Sequence, residues 1–256
     1  MSAMPANRPL AFVTGASNGI GTEIARQLAS RGYDIIGTGR GDSIDTVAER
    51  LRALSATVYP LRADLTAYDG VEDLWKQVQE ISRPLDVAVL NAGVSIGGAF
   101  ATDTDLDDEL KLIALNVNAV VHLAKRVVPG MLSRGKGRIL ITSSISATMP
   151  TPYETVYGPS KAFGYSFAQS LREELRGSGV TVTALLPGAT DGDFHQRAGM
   201  GQKNDKRLVA KQGVDALLAG KDHVVGGDKA TKRQALLNRF LPEPVTARRQ
   251  GANAKP

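Results

Sequence analysis

Short apolar runs alternate with amphipathic helical patterns along the whole 256-residue chain. The apolar runs, such as "LAFVTG" at 10–15 and "DVAVLN" at 86–91, are nearly continuous and rich in β-branched residues. Helical patterns, such as "IGTEIARQLASRG" at 20–32, lie between them. A strand that is apolar on both sides needs cover on both faces of its sheet. The sequence therefore predicts an α/β fold, a doubly wound parallel sheet of about seven strands with helices on both faces.

We expect a single domain, because no repeat or low-complexity linker divides the chain. The expected parts are an N-terminal extension at 1–8, the domain at 9–240 and a basic, flexible tail at 241–256. No apolar run approaches the roughly 18 residues that span a bilayer, and the polar N-terminus lacks the apolar core of a signal peptide. Cysteine is absent, which excludes disulfides and thiolate metal sites. These features favour a cytoplasmic location.

The positive charge of the chain is concentrated at its C-terminal end. Residues 201–256 carry 12 Lys and Arg against 5 Asp and Glu, whereas the whole chain has a net charge of only +5. A nucleic-acid or membrane partner would need such a patch. The charges do not alternate with aromatic residues as a stacking surface requires. We therefore expect a solvated end of the chain and neither of these partners.

A glycine-rich turn, "TGASNGIG" at 14–21, follows the first predicted strand and precedes a helix. Glycine at positions 15, 19 and 21 lets the backbone turn tightly and lie close to a diphosphate at the helix N-terminus. A purely structural turn is the alternative. No Gly-Lys-Ser/Thr follows, so the chain does not match a phosphate-loop NTPase.

Further motifs follow in a characteristic order: "NAG" at 91–93, Asn116, Ser144, "YGPSK" at 157–161 and "PG" at 187–188. Together with the glycine-rich turn, they resemble the short-chain dehydrogenase/reductase family, in its branch of about 250 residues. The resemblance runs from about residue 9 to residue 227. It implies a Rossmann-like fold and hydride transfer between a nicotinamide cofactor and a carbonyl or secondary alcohol. A dinucleotide-binding regulator without catalysis is the alternative from another functional class.

Tyr157 and Lys161 are four residues apart and share one face of a predicted helix. A tyrosine ionises near pH ~10, and a neighbouring ammonium lowers that pKa. The resemblance makes Tyr157 the general acid/base, and it makes Lys161 both its tuner and a ligand of the nicotinamide ribose. Ser144 would hold and polarise the substrate oxygen, whereas the adjacent Ser143 would at most touch the cofactor.

Asn116 matches the family's asparagine that supports a water-mediated proton path behind the lysine, and Asn118 is the less expected candidate. The family places a carboxylate at the end of the second strand in NAD enzymes. Here Gly39 stands at that position and Arg40 follows it. A guanidinium suits a 2′-phosphate, so NADP(H) is favoured over NAD(H). Asn18 stands where some NADP-using relatives carry a second basic residue.

The resemblance also assigns cofactor contacts along the chain. Tyr157 and Lys161 belong to both the catalytic and the cofactor-binding sets. Thr190 fits the hydroxyl that binds the nicotinamide carboxamide. The remaining contacts are Gly15, Ser17, Asn18, Gly19, Ile20 and Gly21 in the glycine-rich turn, Asp64 and Leu65 at the adenine, Asn91, Ala92 and Gly93 after the fourth strand, and Pro187 and Gly188 after the sixth.

Residues 189–207 are expected to form a substrate lid, because they follow a strand at its carboxyl end and are polar and glycine-bearing. Phe194 and Met200 would close over the substrate. The alternative is an ordinary surface loop with Phe194 in the core. Tyr153 is expected to line the substrate pocket or to be structural. Because cells usually hold NADPH reduced, carbonyl reduction is the favoured direction.

No metal site is expected, because the three histidines lack acidic partners at ligand spacing and the Asp-rich run at 102–110 suits a helix N-terminus. The two long predicted helices, at 105–134 and 158–178, carry apolar residues on more than one side. In the family such helices pair across a two-fold axis, which implies a homodimer or homotetramer. The alternative is that these side chains all belong to the core. They are Leu112, Leu115, Val120, Phe163, Phe167 and Leu171.

Overall fold

The computed structural model describes residues 8–191, 203–238 and 240–254. Within these residues, seven strands form one sheet in which every neighbouring pair is parallel. The strands are β1 Leu10–Val13, β2 Asp34–Gly39, β3 Val58–Arg62, β4 Leu85–Leu90, β5 Gly137–Thr142, β6 Val180–Pro187 and β7 His223–Gly226. Their order across the sheet is β3-β2-β1-β4-β5-β6-β7.

Helices cover both faces of this sheet in the part of the chain that is described. They are α1 Gly19–Ala29, α2 Ser43–Arg52, α3 Tyr68–Glu80, α4 Leu106–Ile113, α5 Ala119–Ser133, α6 Tyr157–Glu174, α7 Lys206–Leu218, α8 Lys229–Asn238 and α9 Glu243–Ala254. One buried cluster joins the sheet to α3, α5 and α6, and a second joins it to α1, α2 and α7. This confirms the predicted doubly wound fold.

The alternation of side chains along β1 explains why the strand reads as a continuous apolar run. Leu10 and Phe12 belong to the cluster on one face of the sheet, whereas Ala11 and Val13 belong to the cluster on the other. All four are at most 1% exposed. Successive side chains of a strand point to opposite faces, so cover on both sides demands an apolar residue at every position.

The strand order reverses at β1, which has β2 on one side and β4 on the other. The crossovers from these strands leave in opposite directions, and a crevice opens beyond their carboxyl ends. The glycine-rich turn at 14–21 leaves β1 at this crevice, and the segment 91–93 leaves β4 there. The fold therefore brings together two motifs that are far apart in the sequence.

One helical segment, Leu106–Ser133, is long and apolar enough to cross a membrane by length and composition alone, with a mean hydropathy of 1.2. It consists of α4, a π-helical turn at Ala114–Asn118, and α5. Leu112, Leu123 and Met131 on it are at most 1% exposed and lie in the core of the domain. We therefore interpret the segment as a core helix. The sequence had shown no uninterrupted apolar run of that length.

Most of the range 241–256, which the sequence predicted to be a flexible tail, is helical in the structure. Residues Glu243–Ala254 form α9. Thr246 on α9 is only 3% exposed, and the Gln250 amide donates a hydrogen bond to the Met149 sulfur at 2.9 Å. Packing against the domain therefore orders this end of the chain, although its sequence is polar and basic.

The predicted lid at 189–207 is described only at its two ends, which are joined by a parallel bridge between Thr190 and Asn204. Phe194 and Met200 lie outside the described residues. Closure of this segment over a substrate stays a prediction.

Candidate active site

The glycine-rich turn is so tight that side chains would clash at two of its glycines. Gly15 and Gly19 have φ values of +64° and +56°, which favour glycine. A Cβ on Gly15 would lie 2.9 Å from the Ala92 Cα, and a Cβ on Gly21 would overlap the carbonyl oxygen of Gly15. The turn delivers the chain to Gly19, the first residue of α1. Its geometry therefore leaves the N-terminus of α1 open to an anion.

Thr14 and Asn91 tie this turn to the end of β4. The Thr14 hydroxyl oxygen accepts hydrogen bonds from the backbone N–H groups of Asn91 at 2.9 Å and Ala92 at 3.0 Å. The Asn91 amide donates to the Thr14 carbonyl at 3.1 Å. The sequence analysis assigned no role to Thr14. The available signal was a hydroxyl side chain between the first strand and the glycine-rich turn. Its hydroxyl positions the two segments that border the crevice.

A cavity of about 1250 Å³ occupies the crevice. It is continuous from the glycine-rich turn to the start of α6, which gives room for a dinucleotide together with a small substrate. Ser17, Arg40, Asp64, Leu65, Asn116 and Tyr153 do not line it. The residues singled out from the sequence that do line it are Gly15, Asn18, Gly19, Ile20, Gly21, Asn91, Ala92, Gly93, Ser143, Ser144, Tyr157, Lys161, Pro187, Gly188 and Thr190.

Ser144 and Tyr157 come together at the floor of this cavity. Their side chains are hydrogen-bonded to each other, and the residues are 6% and 3% exposed. Ser144 also accepts a hydrogen bond from the backbone N–H of Ser146 at 3.1 Å, which fixes its side chain at the start of a 3₁₀ turn. The structure thus pairs a hydroxyl with a phenol, as the sequence motif implies.

Burial raises the pKa of the Tyr157 phenol above its usual value. The hydrogen bond with Ser144 opposes this rise, and the nearby Glu154 carboxylate adds to it. The sequence predicted the opposite direction, since an ammonium close to the phenol would lower its pKa. Removal of the phenol from water disfavours its ionised form, and here this effect outweighs the others. A phenol with a raised pKa stays protonated at neutral pH.

Lys161 lies close behind Tyr157, with its Nζ 5.8 Å from the centre of the phenol ring. The side chain donates a hydrogen bond to the Thr142 carbonyl at 3.4 Å. Burial lowers the pKa of its ammonium to about 8. A Cβ on Gly93 would lie 2.9 Å from this Nζ and 2.9 Å from the Asn116 Oδ1. Gly93 therefore leaves the space in which the lysine and the asparagine converge.

Asn116 is clamped between two parts of the chain. Its Oδ1 accepts from the Val94 N–H and its Nδ2 donates to the Val94 carbonyl, both at 2.9 Å. The same Nδ2 donates to the Ser160 hydroxyl at 3.0 Å. Asn116 is buried and lies in the π-helical turn, whereas Asn118 is exposed. Such turns are frequent at functional sites, and the structure places Asn116, not Asn118, next to Lys161.

Ser143 has a packing role. Its hydroxyl donates to the backbone carbonyl of Lys161 at 2.7 Å, which ties the end of β5 to the first turn of α6. Ser160 makes a similar bond to the Tyr157 carbonyl at 2.7 Å. These two hydroxyls hold the α6 backbone that carries the tyrosine and the lysine.

Arg40 is exposed at the end of β2, beyond the lining of the cavity. A Cβ on the preceding Gly39 would lie 2.7 Å from the Ser17 Cβ, so this residue packs against the glycine-rich turn. The Arg40 charge also reaches Asp64, whose carboxyl has a lowered pKa, mainly because it accepts hydrogen bonds from Thr66. The Arg40 guanidinium and the Asp64 carboxylate are therefore close enough to interact, outside the lining of the cavity.

Asp42, the acid nearest to Arg40 along the chain, is paired with a different arginine. Asp42 forms an ion pair with Arg62 at 2.9 Å, and Asp45 pairs with the same guanidinium at 2.5 Å. Neither carboxylate therefore neutralises Arg40. Leu65, the other residue expected near the adenine, is 6% exposed and packs in the core.

At the opposite end of the crevice, Thr190 is 7% exposed, and its hydroxyl donates to the Gly188 carbonyl at 2.7 Å. Tyr153 is half-buried and does not line the cavity, which favours the structural alternative for this residue. Its φ of +62° puts it in a left-handed turn, and its neighbours Pro152 and Glu154 face the cavity instead.

No group of three His, Asp or Glu side chains suited to a metal ion occurs in residues 8–191, 203–238 and 240–254. Two of the histidines have acidic neighbours, one of them distant in the sequence and the other directly adjacent. His122 contacts Glu72, which also binds Arg126 at 2.6 Å. His223 contacts Asp222 at 2.9 Å. His195 lies outside the described residues.

Sequence reasoning missed the residues that α8 and α9 contribute to the cavity. Arg233, Gln234 and Leu237 of α8 line it together with Arg249 and Gln250 of α9. No motif marks these positions. The available signal was the helical spacing of Thr231, Ala235 and Asn238 on α8, which would have indicated a side that packs on the domain. All three are at most 9% exposed.

Comparison with known proteins agrees with this geometry. A family model described as short chain dehydrogenase matches residues 9–203. An uncharacterized oxidoreductase of Staphylococcus epidermidis is 31% identical over 210 residues, which cover 82% of this chain and 89% of that protein. An alcohol dehydrogenase from Comamonas testosteroni, described as specific for bulky-bulky ketones, has a TM-score of 0.80 at 27% identity and covers 96% of this chain and 94% of its own. A short-chain dehydrogenase from Sphingobium yanoikuyae in complex with NADPH has a TM-score of 0.80 at 28% identity, with coverages of 91% and 96%.

Proposed function

Because this chain belongs to the short-chain dehydrogenase family, whose members are oxidoreductases that use a nicotinamide cofactor, we propose that it is an NADP(H)-dependent enzyme acting on a carbonyl or secondary alcohol. The observation that carries the proposal is the convergence of Ser144, Tyr157 and Lys161 in one buried site at the end of a dinucleotide-sized crevice. Residues 9–240 would form the catalytic domain. Carbonyl reduction is the favoured direction.

The crevice has the room that a dinucleotide needs. Side chains at Gly15, Gly21 and Gly93 would clash with the backbone or with Lys161, so these glycines allow the segments that border the crevice to pack closely. The N-terminus of α1 would bind the diphosphate, and Thr190 would bind the carboxamide. When bound, the nicotinamide supplies or accepts the hydride.

In the direction of reduction, the Tyr157 hydroxyl would give its proton to the carbonyl oxygen. The phenol is protonated at neutral pH and therefore has a proton to donate, although its raised pKa also makes it a weaker acid. Ser144 would donate a hydrogen bond to the same oxygen and stabilise the charge that develops there. Asn116, clamped next to Lys161, would support the path by which Tyr157 regains a proton.

A screen of ketones and aldehydes, with NADPH consumption as the readout, tests this function. Bulky ketones are the first compounds to include, because the Comamonas testosteroni neighbour is described as specific for them. We expect turnover with at least one compound class. Cofactor binding without turnover over a broad panel would contradict the proposal and favour a dinucleotide-binding regulator.

The cofactor preference is tested at Arg40. We expect NADPH to bind more tightly than NADH, because Arg40 is exposed at the end of β2, where we propose that the adenosine ribose binds, and Asp42 is paired with Arg62. Arg40→Asp should weaken NADPH binding by about 10- to 100-fold and improve NADH binding, since a charged hydrogen bond is replaced by repulsion. Dissociation constants for both cofactors, measured by fluorescence, check this.

Arg50→Asp is the matched control for that substitution, because Arg50 is also exposed but lies on α2, away from the end of β2. It should leave both affinities unchanged. A wild-type protein that binds NADH at least as tightly as NADPH would defeat the assignment to Arg40.

We also propose a homodimer or a tetramer built from dimers, with α5 and α6 at the interface. The structure narrows the predicted contacts, because Leu112 and Val120 are at most 7% exposed and belong to the core of the single chain. Phe163 is 37% exposed and stacks on Phe167 with ring centres 5.8 Å apart. This aromatic pair is the feature that favours a partner.

Phe163→Asp should therefore dissociate the assembly, because it places a charge in an apolar contact. Sedimentation at micromolar concentration measures the effect. Leu54→Asp, at a residue that is also 37% exposed but lies after α2, should leave the assembly intact. A wild-type protein that sediments as a single monomer would exclude the proposal.

A further inference from the structure

Four apolar side chains are exposed within ten residues at the C-terminal end of the chain. Leu236, Leu237, Phe240 and Val245 are 57%, 51%, 77% and 49% exposed. Single exposed apolar residues are common on protein surfaces, but a cluster marks a place of interaction. We call the outward side of α8 and α9, together with Phe240, the C-terminal surface.

The two helices face outward together because both are fixed to the same residue. The Asn238 amide of α8 and the Gln250 amide of α9 each donate to the Met149 sulfur at 2.9 Å. Ala235 and Thr246 are 9% and 3% exposed and mark the inner sides of α8 and α9. Other positions, such as Lys232 and Leu236 on α8 and Arg248 on α9, are exposed.

The segment that carries this surface is also strongly positive in sequence. Residues 229–256 contain seven Lys and Arg residues and a single acid, Glu243, so this segment has a net charge of +6 against +5 for the whole chain. Lys232, Arg233 and Arg248 are exposed on the two helices, next to the apolar side chains. Short helices that combine exposed apolar residues with Lys and Arg are typical of segments that lie in a membrane interface.

We propose that the C-terminal surface binds an anionic lipid bilayer. The apolar side chains enter the boundary between headgroups and acyl chains, and the cations contact anionic headgroups. A second copy of this chain is a poorer partner, because a two-fold contact would set one positive surface against the other. A nucleic acid would satisfy the cations and leave Leu236 and Phe240 in water.

The sequence alone favoured a solvated end of the chain, because its charges do not alternate with aromatic residues. The structure exposes them. Arg233, Leu237 and Arg249 of the same helices also line the cavity, so a bilayer on the C-terminal surface lies beside the cavity opening. The proposal concerns binding, and its test does not require the reaction proposed above.

The full-length chain is mixed with vesicles of phosphatidylcholine that contain about one third phosphatidylglycerol, and separately with pure phosphatidylcholine vesicles. Flotation measures the bound fraction. We expect binding to the anionic vesicles, with an affinity that falls steeply as salt is added. Lys232→Gln combined with Arg248→Gln should lower this affinity about 25-fold, because each cation near such a membrane contributes about a factor of five. Arg50→Gln combined with Lys221→Gln removes two exposed charges elsewhere and should have no effect.

A second pair tests the apolar contribution. Leu236→Ser combined with Phe240→Ser should lower vesicle affinity about tenfold or more, and thermal unfolding verifies that the variant is folded. Leu54→Ser combined with Leu208→Ser is the control at two other exposed leucines, which are 37% and 38% exposed. Equal losses from the control pairs would overturn the proposal. Tighter binding to duplex DNA than to vesicles, with no effect of the Leu236 and Phe240 substitutions, would also overturn it. So would a wild type that does not bind vesicles but forms an oligomer that these substitutions dissociate.

Discussion

Tyr157→Phe is expected to reduce turnover by about 10²- to 10⁴-fold, the usual contribution of a positioned proton donor. The phenol is 3% exposed and hydrogen-bonded to Ser144 at the floor of the cavity. Phenylalanine keeps nearly all of the volume and removes only the hydroxyl, so the fold and the NADPH affinity should persist. Steady-state kinetics, with the best substrate from the carbonyl screen, measures the loss in kcat.

Tyr153→Phe is the matched control, because Tyr153 lies four residues earlier and outside the lining of the cavity. It should retain turnover within a small factor. The reading that Tyr157 is only a buried structural tyrosine predicts a different result: a lower melting temperature with kcat nearly unchanged. Turnover close to that of the wild type in Tyr157→Phe would overturn the proposed mechanism.

Ser144→Ala tests the hydrogen bond to the substrate oxygen separately from the proton transfer by Tyr157. The serine hydroxyl would donate to the developing charge, so its loss should lower kcat by less than the loss of the tyrosine does. In the structure, the Ser144 hydroxyl oxygen accepts a hydrogen bond from the backbone N–H of Ser146. In the variant, this N–H can donate to water instead. Measurement of both variants on the same substrate tests this order.

The parts of the structure that the sequence predicted are those in which a local pattern has one physical explanation. The doubly wound sheet follows from β1, where Leu10 and Phe12 face one helical layer and Ala11 and Val13 face the other. The candidate site follows from spacing on a single helix, because residues 157 and 161 must share a face. The glycines follow from sterics, since a side chain on Gly21 would meet Gly15.

The parts that were missed depend on contacts between distant segments. The segment 241–256 is polar and basic, and the contacts that α9 makes with the domain, such as the bond from Gln250 to Met149, are not visible in the sequence. The pKa direction of Tyr157 depends on how far the phenol is withdrawn from water, which the spacing to Lys161 does not reveal. Leu112 and Val120 were candidates for a contact between subunits, but the structure buries both in the core of the single chain.

Lys161→Met is expected to lower both turnover and cofactor affinity, because the ammonium serves the phenol and the cofactor ribose. The loss of a charged hydrogen bond to the ribose should weaken NADPH binding by about 10- to 100-fold. Turnover should fall by about 10²-fold or more. Methionine approximates the length of the lysine and can remain in the same buried space, so the melting temperature should not drop. Fluorescence titration and steady-state kinetics measure the two effects separately.

The same residue should give NADPH binding a distinctive pH dependence. Burial lowers the pKa of the free protein's Lys161 to about 8, so the ammonium predominates below that pH and the neutral amine above it. A negatively charged cofactor favours the ammonium form. NADPH affinity should therefore be constant just below pH 8 and decline above it, by at most about tenfold per pH unit. In Lys161→Met this decline should disappear, whereas Lys76→Met, which removes an amine on α3, should retain it. An equal decline in the wild type and in Lys161→Met would show that another group titrates and that Lys161 does not contact the cofactor.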